Sequence, residues 1–325
     1  MKPDPHLPNR YSIITGFYGR QANRFMEYQQ QRTITEKLQM VARTPGCDGA
    51  ELCYPDDFKD RTLLRKLVED LNLGVSAINF RSRRPGQWTR GSWTSESAAE
   101  RQAVIDDCRQ LVDIAAEMGI SRITNCPLND GADFTFEMDY ARAYDYAAET
   151  YAAVASHNPA IRICIEYKPS EPRARCLFDT AGGTLGFIQT VGAANLGVTL
   201  DLGHALAAGE RPAQSAALLA RAGKLFYVHL NDNDGAFDWD LPPGVLRFWE
   251  ALEFLYALPG LGYSGDWFSF DIVPKEFDPV KVYGDSFAIT RKMESIVARF
   301  DRARLDELIR DRDPTTTMSY LFSLL

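Results

Sequence analysis

The chain has 325 residues, 45% apolar and 11% aromatic, enough for one large domain or two ordinary ones with a substantial core. A formal net charge of −8 argues against a nucleic-acid partner, because phosphate binding needs a basic face. No stretch approaches the roughly 20 apolar residues of a membrane span, Met1–Arg10 contains no secretory apolar region, and the six cysteines form no C-x-x-C pair, so a reduced, cytoplasmic setting is expected.

In chain order, predicted strands and helices alternate. Strand Tyr11–Gly19 precedes helix Ile34–Ala42, strand Gly49–Tyr54 precedes helix Leu63–Leu71, and strand Gly74–Phe80 precedes helix Ala99–Met118. Strand Arg122–Pro127 leads to helix Tyr140–Ser156, Ile161–Lys168 to Leu185–Val191, and Leu196–His204 to Ser215–Ala222. Lys224–Asp232 and Val245–Tyr256 form the seventh unit, and Asp266–Ile272 and Val280–Phe300 the eighth. Strands rich in β-branched residues, alternating with 3.6-periodic stretches, imply βαβ units and a parallel sheet. Eight such units predict an α/β fold closed as a (β/α)8 TIM barrel. Runs such as Ile161–Ile165 and Leu196–Leu200 are apolar on both faces, as strands covered by helices should be. Cys126 and Cys164 fall in apolar runs and read as buried small hydrophobes. Residues 1–310 are read as a single catalytic barrel domain with a C-terminal helical extension. The tail, 311–325, ends in the apolar run Tyr320–Leu325, which predicts packing on the barrel or on a neighbouring subunit.

In a parallel barrel the active site lies at the C-terminal strand ends, so the polar residues there carry the functional signal. Strand five ends Ile165-Glu-Tyr-Lys-Pro169. Glu166 and Lys168, two apart, share one face and need partners, either each other or something bound. Strand six ends Leu200-Asp-Leu-Gly-His204, placing Asp201 and His204 around a glycine where the chain turns away. Strand seven sets His229 in an apolar run, so two of the chain's four histidines fall at adjacent strand ends. Asp271 closes strand eight, and Asp238 and Asp240 share a face if their loop is extended. Taken singly, any of these acids could be a solvated loop residue. Together, five carboxylates in one mouth repel strongly without cations. Oxygen-rich ligation with one or two imidazoles suits Mn²⁺, Co²⁺ or Mg²⁺ better than structural zinc.

These segments resemble those of a known family. Glu166-Tyr-Lys-Pro-Ser-Glu-Pro-Arg173 is similar to the Glu-Pro-Lys-Pro-Asn-Glu-Pro-Arg signature of xylose isomerases, with Tyr167 in place of the first proline. Asp201-x-x-His204 resembles the acid-x-x-His pair of xylose and rhamnose isomerases, and Asp238-Trp-Asp-Leu241 their Asp-x-Asp-Leu segment. Asp271 falls where the last-strand aspartate belongs. The likeness covers about a third of the chain, from strand five to strand eight. It implies an enzyme interconverting an aldose and a ketose with one or two divalent metal ions, working as a homodimer or homotetramer. The resemblance assigns Glu166, Asp201, His229 and Asp271 to a first metal. Asp201 would bridge to a second, completed by His204, Asp238 and Asp240. Lys168 would hydrogen-bond the sugar's O1, and with Glu166, His204 and Asp271 forms the implied catalytic group.

Two features depart from that pattern. Xylose isomerases carry a ring-opening histidine on an early strand, and this chain has none there: His6 lies in the N-terminal tail and His157 after a helix. The loop Arg81–Arg90 holds four arginines and a tryptophan. It is either a solvated or subunit-contacting loop, or Arg81, Arg83, Arg84 and Trp88 grip a carboxylate, phosphate or sulfonate on the sugar. Other readings stay open. A ketose 3-epimerase of the tagatose epimerase kind uses two glutamates, one of them at the position of the shorter Asp271. A metal-dependent sugar dehydratase or lyase would share the fold. An abasic-site endonuclease needs more histidines than the four present. From another class, the chain could be a non-catalytic barrel subunit of a hetero-complex.

Overall fold

The computed structural model describes residues 8–23, 25–84, 86–171 and 174–325. The N-terminal readings on residues 1–7, with His6, and the Pro172–Arg173 end of the glutamate signature lie outside the described residues. Eight strands run parallel: β1 (Arg10–Ile14), β2 (Gly49–Tyr54), β3 (Gly74–Phe80), β4 (Arg122–Asn125), β5 (Arg162–Glu166), β6 (Leu196–Asp201), β7 (Leu225–Leu230) and β8 (Trp267–Phe270). Each pairs with its neighbours in sequence, and β8 pairs with β1 through Arg10↔Trp267, closing the barrel. The chain is therefore a TIM barrel.

The helices are α1 (Ile34–Arg43), α2 (Arg61–Asp70), α3 (Ala98–Glu117), α4 (Tyr140–Ala155), α5 (Ala181–Val191), α6 (Leu202–Ala207), α7 (Pro212–Arg221), α8 (Phe248–Gly260), α9 (Pro279–Val297), α10 (Arg302–Asp311) and α11 (Pro314–Phe322). Local chemistry starts them. Thr33 and Glu36 form a reciprocal capping box on α1, and Asp60, Ser97 and Asp139 cap α2, α3 and α4 by accepting orphan backbone N–H bonds. No helix among the described residues is long and apolar enough to cross a membrane.

Several boundaries differ from the sequence reading, for identifiable reasons. β1 ends at Ile14, and Thr15–Tyr18 is a 3-10 turn rather than more strand. α5 starts at Ala181, capped by Thr180, because Gly182, Gly183 and Gly186 dilute its apolar period. β5, β6 and β7 stop at Glu166, Asp201 and Leu230, so the polar residues after them sit just beyond the sheet. Two short helices, α10 and α11, follow α9 at the C-terminal end. Leu305 and Leu308 of α10 are buried, and Phe322 of α11 lies edge-on against Trp249 of α8, with ring centroids 4.9 Å apart.

The barrel interior is not purely apolar. Near its floor, Arg122 donates to the Phe226 carbonyl (3.0 Å) and Asp266 (2.6 Å) and lies over the Tyr227 ring. The Tyr227 hydroxyl donates to Glu51 (2.9 Å) and sits 2.8 Å from the Ser76 hydroxyl. Across the barrel, the hydroxyls of Thr124 and Thr199 meet at 2.7 Å. A buried polar axis thus rises from floor to mouth, with each member hydrogen-bonded.

Candidate active site

At the mouth, four strand ends bring one group of ligand-type atoms together. Asp201 and His229 are register partners on β6 and β7. His229 Nδ1 lies 3.0 Å from Glu166 Oε1 and 3.9 Å from both Asp201 Oδ2 and Asp271 Oδ2. One ligand atom from each of these four residues falls within 4.8 Å of the others. The far side of the ring is fixed too, with His229 Nε2 3.0 Å from Glu51 Oε2. Glu51 is fully buried on β2 and was not singled out from the sequence. The available signal was a charged residue inside the otherwise apolar Gly49–Tyr54 run.

A second group shares Asp201. Asp201, His204 and Asp238 also offer atoms within 4.8 Å of one another. Asp201 caps the short α6, accepting the His204 backbone N–H at 2.8 Å, which holds His204 over the cluster. His204 Nε2 lies 3.2 Å from Asp238 Oδ2, and its Nδ1 lies 3.7 Å from Glu166. Lys168 Nζ pairs with Asp238 at 2.7 Å and also with Glu171, so its partners are not the adjacent Glu166. Asp240, like Asp238 and unlike the exposed Trp239 between them, is half-buried. Its φ of +48° turns the chain, and its Oδ1 lies 3.3 Å from Asn231 Nδ2, which also donates to Asp201. Asn231, a neutral amide without a charge signal, is a second residue that the sequence reading missed. Cys126, read as a buried apolar residue, is half-buried, and its sulfur groups with Glu166 and His204.

The electrostatics divide the acids. Burial raises Glu166, but contact with His229, then His204 and Lys168, more than offsets it and holds the carboxyl down at about 2. Asp238 is likewise buried, yet His204 and Lys168 keep it well below the ordinary range. Burial pushes Asp271 up, and the charges of Glu166 and Asp201 add to the push. Asp240 rises through burial, then Asp238 and Asp271. Burial works against a proton on His204, but Asp201 and Asp238 retain it, to about 9. Burial likewise opposes a second proton on His229, which Glu51 and Glu166 nonetheless hold well above the ordinary value. Five carboxylates crowded in one mouth oppose one another's ionisation, as the raised Asp240 and Asp271 show.

Atoms left without partners test whether a cation fits. Among the described residues, the buried polar side-chain atoms lacking a hydrogen bond include His204 Nδ1, Asp238 Oδ1 and Asp271 Oδ1. All three belong to these two clusters. Buried polar atoms are rarely left orphaned, and an oxygen-rich set with an imidazole suits a hard divalent ion. The residues present therefore fit a metal.

The arginine loop divides. Arg84 pairs with Asp107 of α3 and lies over the Trp88 ring, while Trp88 is buried and donates its Nε1–H to the Glu100 carbonyl. Both are thereby committed to α3 contacts rather than brought to the carboxylates. Arg81 turns the other way. Arg81 Nη2 approaches Cys53 Sγ at 3.4 Å. Burial, then Arg81, lower the Arg83 guanidinium's pKa, while Cys126, Glu171 and Glu166 act against this.

The profile of the family described as xylose isomerase-like TIM barrel matches residues 38–292. A xylose isomerase of Thermus thermophilus is 26% identical over 232 residues, covering 69% of this chain and 58% of that protein. The chain thus spans little more than half the length of that relative. Among solved structures, a D-tagatose 3-epimerase-like protein aligns with a TM-score of 0.70 at 18% identity, over 89% of this chain and 98% of that one. A D-allulose 3-epimerase from Methylomonas sp., in complex with D-allulose, aligns with a TM-score of 0.64 at 17% identity, over 90% and 98%. At such identities the likeness to solved structures shows the fold alone.

Proposed function

The chain belongs to the xylose isomerase-like TIM barrel family, and from that premise we propose that it is a metal-dependent enzyme interconverting an aldose and a ketose. The observation that carries this reading is the second cluster. A lysine ammonium and a histidine meet on Asp238, at 2.7 and 3.2 Å, beside a first cluster already complete in its ligand types. An epimerase working with one metal and two carboxylates has no use for that second set.

A divalent ion held by Glu166, Asp201, His229 and Asp271, with another at Asp201, His204, Asp238 and Asp240, would polarise the sugar's carbonyl and hydroxyl oxygens. The chain's own groups do the rest. Lys168, nearly enclosed, presents an ammonium that stabilises negative charge developing on O1. Asp238 and Glu171 keep it protonated and aimed. Glu51 fixes the orientation of His229 from behind, and Asn231 that of Asp201 and Asp240.

One observation favours a second reading, ketose 3-epimerisation. Glu166 and Asp271 both reach His229 Nδ1, and their proton affinities are pushed apart, one down and one up, as a base and an acid facing one substrate require. The deciding experiment incubates the Mn²⁺ or Co²⁺ form with a panel of aldoses and ketoses that includes anionic sugars. Aldose–ketose exchange supports the proposal, and ketose epimerisation without exchange overturns it.

A further inference from the structure

One thiol at the mouth stands among metal-type ligands and belongs to neither carboxylate cluster. Asn125 pairs with Ile165 across β4 and β5, so Cys126, one past β4, stands beside Glu166, the last residue of β5. Cys126 is free and half-buried. Its sulfur, one oxygen of Glu166 and one ring nitrogen of His204 all fall within 4.8 Å of one another. The cysteine is not alone in pointing to a ligand. His204 is 3% exposed, and its Nδ1 is a buried atom with no hydrogen-bond partner, 3.7 Å from Glu166 Oε1. The other ring nitrogen, Nε2, is engaged by Asp238 at 3.2 Å.

This donor set differs in kind from the two beside it. Those are carboxylates with one imidazole each, suited to hard ions. Sulfur, imidazole and a single carboxylate suit a softer ion, with a fourth position left open. The spacing agrees. Tetrahedral zinc ligands lie about 2.0–2.3 Å from the ion and hence roughly 3.3–3.8 Å apart. His204 Nδ1 and Glu166 Oε1, at 3.7 Å, match that separation. Burial, then the charge of Glu166, push the free thiol's pKa up. Coordination deprotonates a thiol outright, so the entering ion exchanges for that proton, which leaves to solvent. Magnesium and manganese prefer oxygen to sulfur and gain little by the exchange.

We propose that Cys126, Glu166 and His204 form a third cation position, selective for a thiophilic divalent ion such as zinc or cadmium. The Glu166 oxygen facing His204 is also the one that faces His229 of the first cluster. An ion held by Cys126 therefore draws Glu166 from the first cluster and His204 from the second, and displaces hard ions from the mouth. Only this displacement rests on the two-cluster reading above; the thiolate ligation does not.

Cadmium and zinc titrated into the full-length chain test it without any sugar. Cadmium should bring up a thiolate-to-metal charge-transfer band in the ultraviolet, and X-ray absorption at the zinc edge should show one sulfur at about 2.3 Å. Cys126→Ser should abolish the band and weaken cadmium at least roughly 10-fold, with manganese content unchanged. Cys176→Ser, which alters a buried thiol outside the group, should keep the band. In the manganese-loaded chain cadmium should release manganese, and in Cys126→Ser that release should be lost. A band that survives Cys126→Ser overturns the proposal, as does zinc bound through oxygen and nitrogen alone. The zinc measurement uses the unaltered chain, so it decides the matter even if Cys126→Ser fails to fold. Manganese retained while the band develops would sink the displacement. An absence of aldose–ketose exchange would sink the isomerase reading alone, and a shell without sulfur the Cys126 site alone.

Discussion

The two carboxylate clusters share Asp201 yet are built by different means. The first stands on the ends of β5, β6 and β7 and the residue after β8, with His229 locked between Glu166 and Glu51. Its geometry follows from barrel register. The second hangs from a six-residue helix and a loop and is held by pairing among its own side chains, Lys168 and His204 on Asp238. An ion entering the first cluster meets preset ligands, whereas one entering the second competes with Lys168 for Asp238. The difference teaches that rigid strand ends supply a binding site, while re-pairable loop groups supply one that responds to what is bound.

The largest expected effect comes from dismantling the second cluster. Asp238→Asn with Asp240→Asn should lower metal content toward one ion per chain and abolish aldose–ketose exchange, a loss on the order of 10³ or more. Elemental analysis beside a coupled assay reads both, and isomerisation at the parental rate would erase the division of labour. Next, Lys168→Met should leave both clusters able to bind metal but cost on the order of 10²–10³ in turnover. Near-parental activity would favour epimerisation by paired carboxylates. Third, chelation tests the charge argument. Metal saturating the folded form at about a hundred times its dissociation constant adds roughly 2.7 kcal/mol of stability. Dialysis against EDTA should therefore lower the melting temperature, and an unchanged value would refute the fit of a cation to these acids. The smallest effect sharpens the comparison further. Glu51→Gln should weaken the first cluster's metal about 10- to 100-fold and leave the second's untouched; equal weakening of both would show that the two are not separately built.

Much of this arrangement was legible in the sequence, because charged residues ending apolar runs are costly unless used. Glu166, Asp201, His229 and Asp271 were visible on that ground alone, and the structure brings all four together. Glu51 escaped because attention fell on strand ends, and it sits mid-strand, facing the axis. Arg84 and Trp88 looked no different from Arg81 and Arg83. Only the fold shows that α3 supplies Asp107 and the Glu100 carbonyl to claim them.

The polar axis inside the barrel has a consequence for how the chain reaches this structure. Tyr227 of β7 must meet Glu51 of β2 and Ser76 of β3, and Thr124 of β4 must meet Thr199 of β6. None of these contacts joins adjacent strands. Slipping any one of these strands by a single residue would turn its polar group outward into the apolar layer beneath the helices. Greasy interiors tolerate such near-misses, since one branched aliphatic replaces another at little loss. This interior does not, so misthreaded closures are penalised, and Glu51, which braces His229 at the mouth, is one of the residues that gauge the register of the barrel.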